Sequence, residues 1–267
     1  MFVVKIGFIG LGQMARALAI GIRKSDESVA LCGWDPNSAS QSQILDVIPD
    51  FEFLASNQDV VDQANLVFLA VKPQMFPAVA SILAVPKQVT LVSVMAGISV
   101  HQIATDLRTK SVLRVMPNTP CLIGQGALAL AESQSVAAEV VDQVAGLLQG
   151  AGKVVRCQES QLNAVTGLSG SGPAFVLEFL SALIDGGVLA GLPREMATTL
   201  AEETILGSVR LKQETGKHPA ELQDQVTSPG GTTIYGLQHL REKGGNAAIA
   251  GAVLAAKSRA DELGNLN

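Results

Sequence analysis

Histidines, cysteines and basic clusters are the scarce features of this chain. His101, His218 and His239 stand far apart in 267 residues, so no set of side chains at zinc-ligand spacing exists and no metal site is expected. Cys32, Cys121 and Cys157 are odd in number and form no CxxC pair; they read as reduced, mostly buried thiols. Net charge is −5, with no basic stripe and no aromatic–basic interleaving, so nucleic acid is not an expected partner. Long apolar runs are also missing, although 48% of the residues are hydrophobic. The most apolar stretch, residues 174–192, carries Glu178 and Asp185 inside it. It is therefore expected to be a helix buried in a core or a subunit interface, not a membrane span. The chain opens without the basic stretch, apolar core and small-residue cleavage site of a secretory signal, and a cytoplasmic location is expected.

What is present is a change of period partway along. Residues 3–9, 29–34, 66–71, 90–95 and 111–115 are short apolar runs rich in β-branched residues. Between them, residues 14–24, 38–48, 76–83 and 100–107 carry helical patterns. Such alternation implies an α/β unit with a mostly parallel sheet covered on both faces. Two more strands are expected at 127–131 and 153–156, flanking a helix at 137–149. After Arg156 the β signal stops. Residues 162–190, 194–214, 219–225, 232–241 and 246–262 read as helices. The expected organisation is an α/β domain over residues 1–157 and an all-α domain over 158–267.

Gly10-Leu11-Gly12-Gln13-Met14-Ala15 follows the first strand and opens the first helix. This is the Gly-x-Gly-x-x-(Gly/Ala) dinucleotide fingerprint in its proper setting. Gly10 turns the chain, Gly12 lets backbone approach a pyrophosphate, and the helix N-terminus offers unpaired N–H groups. Asp35 ends the second strand. It either accepts from the adenosine ribose of NAD or opens the turn at Asp35-Pro36-Asn37 and caps the next helix. Ala70-Val71-Lys72-Pro73 and Met95-Ala96-Gly97 end later strands at the edge where such sheets bind ligands. Lys72 faces either a ligand or solvent.

The segments Gly7-Phe-Ile-Gly-Leu-Gly12, Leu69-Ala-Val-Lys-Pro73, Arg114-Val-Met-Pro-Asn-Thr-Pro120, Ser169-Gly-Ser-Gly-Pro173 and Ser228-Pro-Gly-Gly-Thr-Thr233 follow one another in order. Together they resemble pyrroline-5-carboxylate reductases from end to end; the last two are the more specific. The resemblance implies a Rossmann-type doubly wound N-terminal domain and an all-α C-terminal dimerisation domain. It implies an intertwined homodimer, in some members built into larger rings. The implied reaction is NADPH- or NADH-dependent reduction of Δ1-pyrroline-5-carboxylate to proline, the last step of proline biosynthesis. Ser228, Gly230, Gly231 and Thr232 would then cradle the substrate carboxylate, with the N–H groups of Gly230, Gly231 and Thr232 converging on it. Thr233 would place its hydroxyl at the ring nitrogen. Asn57 matches a position near the adenosine ribose. The alternative for residues 228–233 is an ordinary helix entry capped by Thr232, with Thr233 bonded back to the helix.

Members that prefer NADP often carry a small hydroxyl or a basic residue where this chain has Asp35, so NADH is expected to serve at least as well as NADPH. A β-hydroxyacid dehydrogenase would need a catalytic lysine on a helix of the second half, and Lys212, Lys217, Lys243 and Lys257 are not so placed.

Overall fold

A computed structural model describes residues 5–265; positions 3 and 4 of the first expected strand lie outside them. Eight strands form one sheet: β1 (Lys5–Ile9), β2 (Ala30–Trp34), β3 (Glu52–Phe53), β4 (Leu66–Leu69), β5 (Thr90–Ser93), β6 (Val112–Met116), β7 (Gly126–Ala131) and β8 (Gly152–Cys157). Their order is β3-β2-β1-β4-β5-β6-β7-β8. All neighbours pair parallel except β6 and β7.

The apolar runs are continuous because both faces of the sheet are buried. On β4, Leu66 and Phe68 join one core and Val67 and Leu69 the other. Phe68 stacks on Phe8 of the neighbouring strand with ring centroids 5.1 Å apart. Helices α1 (Gln13–Ser25), α2 (Ser38–Leu45), α3 (Asn57–Gln63), α4 (Phe76–Ala80), α5 (Val100–Asp106) and α6 (Ala138–Leu148) connect the strands. Neither β3 nor α3 is expected from periodicity. β3 has only two residues, and α3 reads Asn-Gln-Asp-Val-Val-Asp-Gln, too polar to advertise a face. A local signal for α3 does exist, since Ser56 caps it by accepting from the Asp59 N–H at 3.2 Å.

The helical half departs from expectation in two respects. First, the α/β unit does not end at residue 157. It runs on to Ser171 and takes up the chain again from Leu254, while residues 172–253 form a second unit. Side chains past β8 explain the extension: Leu162 packs on Ala129 and Ala131, and Asn163 donates to Asp261 at 2.8 Å. Second, residues 162–190 are not one regular helix. α7 (Leu162–Val165) runs into a π-helical turn, Thr166–Gly170, before α8 (Gly172–Leu189). Ser171 N–H donates to Thr166 O at 2.8 Å, five residues back, and the residues that follow interrupt the regular ladder as well. An α-helical partner for the Ser169 carbonyl would be the N–H of residue 173, which is proline and has none. Asn118 Nδ2 supplies the missing donor at 3.0 Å, and its Oδ1 accepts from Ala127 N–H at 2.9 Å. Gly170 packs closely here: a Cβ would stand 2.8 Å from Met116 Cε, so that methyl would have to shift.

In the second unit α8 packs on α9 (Arg194–Thr215), with Gly187 against Ala197. α10 (Pro219–Gln225), α11 (Thr232–Glu242) and the first part of α12 (Gly245–Asn265) complete it. α8 has no buried residue, so of the two settings expected for it, a core or a subunit interface, the core of the single chain is excluded. Val176, Leu177 and Phe179 are exposed.

Candidate active site

The carboxyl ends of β1, β2 and β4 meet at the point where the strand order reverses. Gly10 N–H donates to Trp34 O at 3.0 Å, and Ala70 N–H to Ile9 O at 2.9 Å. Gly10 holds φ +88°, and a Cβ there would stand 3.0 Å from the Ala70 carbonyl carbon. Gly12 differs: a Cβ there would meet no atom within 4 Å, so the open side of the turn faces empty space. Gly12 also caps α1, with no side-chain bond at the cap and no acidic residue in the first turn. The helix N-terminus is left as an electropositive set of N–H groups.

A cleft of about 440 Å³ opens beside this turn. Gly10, Gly12, Asp35, Asn57, Ala70, Val71 and Lys72, all expected from the sequence, line it. Leu11 does not, because its side chain is fully buried in the core. Gln13, Met14, Pro73 and Ala96 are also outside its lining. Pro73 instead opens a short 3-10 turn, Pro73–Met75. Ala96 follows β5 on the same sheet edge, where Arg114 donates to the Met95 carbonyl (3.4 Å) and to Glu159 (3.1 Å).

Asn57 is 6% exposed, and its Oδ1 is buried with no hydrogen-bond partner. An orphaned buried acceptor costs about 1–3 kcal/mol, so a ligand hydroxyl or N–H is its natural complement. Lys72 is exposed and makes no ion pair among the described residues. Asp35 is committed inside the protein: Oδ2 accepts from Leu11 N–H at 2.7 Å and Oδ1 from Asn37 N–H at 2.8 Å. The turn-opening alternative is therefore realised. The helix cap is Asn37, whose Oδ1 accepts from Ala39 N–H.

Several lining residues escaped the sequence reading. Asn37 and Ser40 stand on one side, and Met75, Ala78, Val79 and Ile82 on the other. The last four follow i, i+3, i+4, i+7 spacing, which ordinarily marks a face turned to the core. Here Met75 and Ile82 are 55% and 72% exposed and form an apolar wall.

In the helical unit, residues 228–233 form a turn and the start of α11. Gly230 has φ +66°, and Gly231 N–H donates to Ser228 O at 3.0 Å. That N–H is spent within the turn, which removes it from the expected anion donors. The cap of α11 is Gly231, not Thr232, and has no side-chain bond. Hydroxyls of Thr198, Thr199, Ser208, Thr215 and Thr227 all bond back to the carbonyl four residues earlier. Those of Thr232 and Thr233 have no partner among the described residues. Thr233 is half-buried; Ser228, Gly230 and Thr232 are exposed.

A glycine turn at the switch point of a 3-2-1-4-5-6 sheet, opening on an uncapped helix, defines a nucleotide-binding protein of the Rossmann class, here carrying an added helical unit. Over 97% of its length the chain is 39% identical to the pyrroline-5-carboxylate reductase of Glycine max, covering 95% of that protein. It belongs to the pyrroline-5-carboxylate reductase family. A profile described as pyrroline-5-carboxylate reductase dimerisation matches residues 159–263, and one described as NADP oxidoreductase, coenzyme F420-dependent, matches 5–97. Among solved structures, the Plasmodium falciparum pyrroline carboxylate reductase with NADP bound superposes with a TM-score of 0.85 at 29% identity, over 99% of both chains. The Streptococcus pyogenes 1-pyrroline-5-carboxylate reductase gives 0.87 at 31% identity, over 97% of this chain and 98% of that one.

Proposed function

We propose that this chain reduces the C=N bond of Δ1-pyrroline-5-carboxylate to give proline, using NADPH or NADH, as the last step of proline biosynthesis. The observation that carries the substrate reading is the start of α11: an uncapped helix N-terminus beside two threonine hydroxyls left without partners. Such an end attracts a carboxylate. The remaining N–H groups of Gly230 and Thr232, with the hydroxyls of Ser228 and Thr232, would hold it. Thr233, the residue assigned to catalysis, would accept from the protonated ring nitrogen and so stabilise the charge that makes the imine carbon electrophilic.

The cleft on the sheet fits a dinucleotide. The open side of Gly12 and the bare N–H groups of Gln13 and Met14 suit a pyrophosphate, and Asn57 Oδ1 suits a ribose hydroxyl. When bound, the reduced nicotinamide supplies the hydride. Val71, Lys72, Pro73 and Ala96 would border it. The division of labour follows the two compact units, with residues up to Ser171 and from Leu254 carrying the cofactor cleft and residues 172–253 carrying the substrate turn and α8, the surface for a second copy of the chain.

Residues Glu159–Leu189 are long and apolar enough to cross a membrane. They fall in the segment matched by the dimerisation profile, so we assign their exposed apolar surface to a partner subunit in an intertwined dimer, with assembly into larger rings as a further step. A cytoplasmic location accompanies this reading, with neither nucleic acid nor membrane as partner.

The test is loss of reduced-nicotinamide absorbance on adding pyrroline-5-carboxylate, repeated with Thr233→Ala. The variant should keep its cofactor affinity and lose about 10²-fold in turnover. Turnover equal to the parent would remove Thr233 from the mechanism; no oxidation of either cofactor by the parent chain would end the proposal.

A further inference from the structure

We infer that Asp35 is a positioning residue that locks the phosphate-binding turn, and is not the ligand of the adenosine ribose. The inference rests on the proposed dinucleotide role of the cleft. One carboxylate joins three segments. Its Oδ2 takes the N–H of Leu11, in the middle of the glycine turn, at 2.7 Å. Its Oδ1 takes the N–H of Asn37, at the entry to α2, at 2.8 Å. The main-chain carbonyl of Asp35 accepts from Gln41 Nε2 at 2.8 Å, holding the end of β2 to the body of α2.

The turn needs such a lock. Gly10 and Gly12 flank Leu11, and glycine loses more conformational freedom on ordering than any other residue. Backbone bonds hold the two ends of the turn, Gly10 N–H to Trp34 O and Arg16 N–H to Gly12 O. Leu11 N–H goes to the Asp35 side chain. An N–H···carboxylate bond is roughly twice as strong as a neutral one. The bond also turns Leu11 N–H away from any bound phosphate, leaving the N–H groups that open α1 to receive it. No cation pairs with Asp35 among the described residues, so the backbone N–H groups themselves offset its charge.

A lock on the turn and a ribose ligand make different demands. Loosening the turn weakens every ligand that uses the phosphate site, whatever lies at the adenosine end. Losing a ribose contact spares a ligand without an adenosine ribose. Trp34 is the single tryptophan and lines the cleft, so quenching of its fluorescence reports binding directly on the full chain. The ligands to compare are NADH, NADPH and reduced nicotinamide mononucleotide, which has one phosphate and no adenosine.

With Asp35→Ala we expect the dissociation constants of NADH and of the mononucleotide to rise together, by about tenfold, with KM for the cofactor rising by more than kcat falls. Asp35→Asn keeps one oxygen acceptor and should give a smaller parallel rise; it serves if the alanine variant fails to fold. Mononucleotide binding unchanged while NADH weakens would overturn the inference and restore Asp35 as a ribose ligand. Unchanged binding of all three in either variant would overturn it as well. If the parent chain binds none of the three, the cofactor reading of the cleft fails, and the inference goes with it.

Discussion

At Gly10 the backbone is left-handed and a Cβ would press on the Ala70 carbonyl, whereas at Gly12 a Cβ would meet nothing in the protein. Two glycines that look interchangeable in the fingerprint therefore fail in different ways. Gly10→Ala should destabilise the fold by about 1–2 kcal/mol from the left-handed φ alone, seen as a lower urea midpoint. Gly12→Ser places a favoured helix-capping residue at an uncapped end, so the urea midpoint should hold or rise. Its hydroxyl and Cβ would occupy the space and N–H groups meant for phosphate, so NADH binding should weaken at least about tenfold. A Gly12→Ser chain that binds NADH normally would contradict the phosphate site. The thiols carry no chemistry of this kind. Burial pushes the Cys32 thiol up to about 11, and in the folded chain at about pH 8 it should resist alkylation that proceeds readily in urea.

Between elements, single polar side chains do work that periodicity cannot reveal. Asn118 satisfies the Ser169 carbonyl left without a donor by Pro173, and pins Ala127 at the start of β7. Asn118→Ala leaves two half-buried backbone groups without their partner, which should cost up to about 1–3 kcal/mol in urea unfolding for each group that water cannot reach. Asp261, near the end of α12, accepts from Lys257 and Asn163, and these bonds hold its carboxyl below the usual value of 3.8. A depressed carboxyl stabilises the fold above its unfolded pKa, and that stability is lost as pH falls through the lower folded value. Thermal midpoints of the parent and of Asp261→Asn should therefore differ most above the ordinary carboxyl value of 3.8 and converge as the pH falls below it, through the lowered folded value. A gap that widens with acid would mean that the pairing does not act through ionisation.

The exposed apolar surface of α8 becomes intelligible only for an assembly. Val176, Leu177 and Phe179 are 51%, 63% and 43% exposed in one chain, and no residue of that helix is buried. Contiguous apolar exposure marks an interaction surface. Light scattering should give at least a dimer for the parent chain, and Leu177→Glu should shift it toward monomer, since a charge buried without a partner disrupts an interface strongly. A monomeric parent would remove the partner assigned to this helix.

The sequence by itself determined whatever depends on neighbours along the chain: the alternation of strands and helices, the glycine turn entering α1, and the proline-glycine turn entering α11. Strand and helix periods and left-handed glycines are local properties, and all three survive in the structure. Tertiary structure alone decided which donors and acceptors were already spent. Asp35 meets Leu11 across 24 positions, Asn118 meets Ser169 across 51, and Asn163 meets Asp261 across 98. The limit of the α/β unit at Ser171, the orphaned Oδ1 of Asn57 and the apolar wall of Met75 and Ile82 belong to the same kind. A hydrogen bond or a buried face depends on what packing brings within 3 Å, and spacing along a chain carries no record of that.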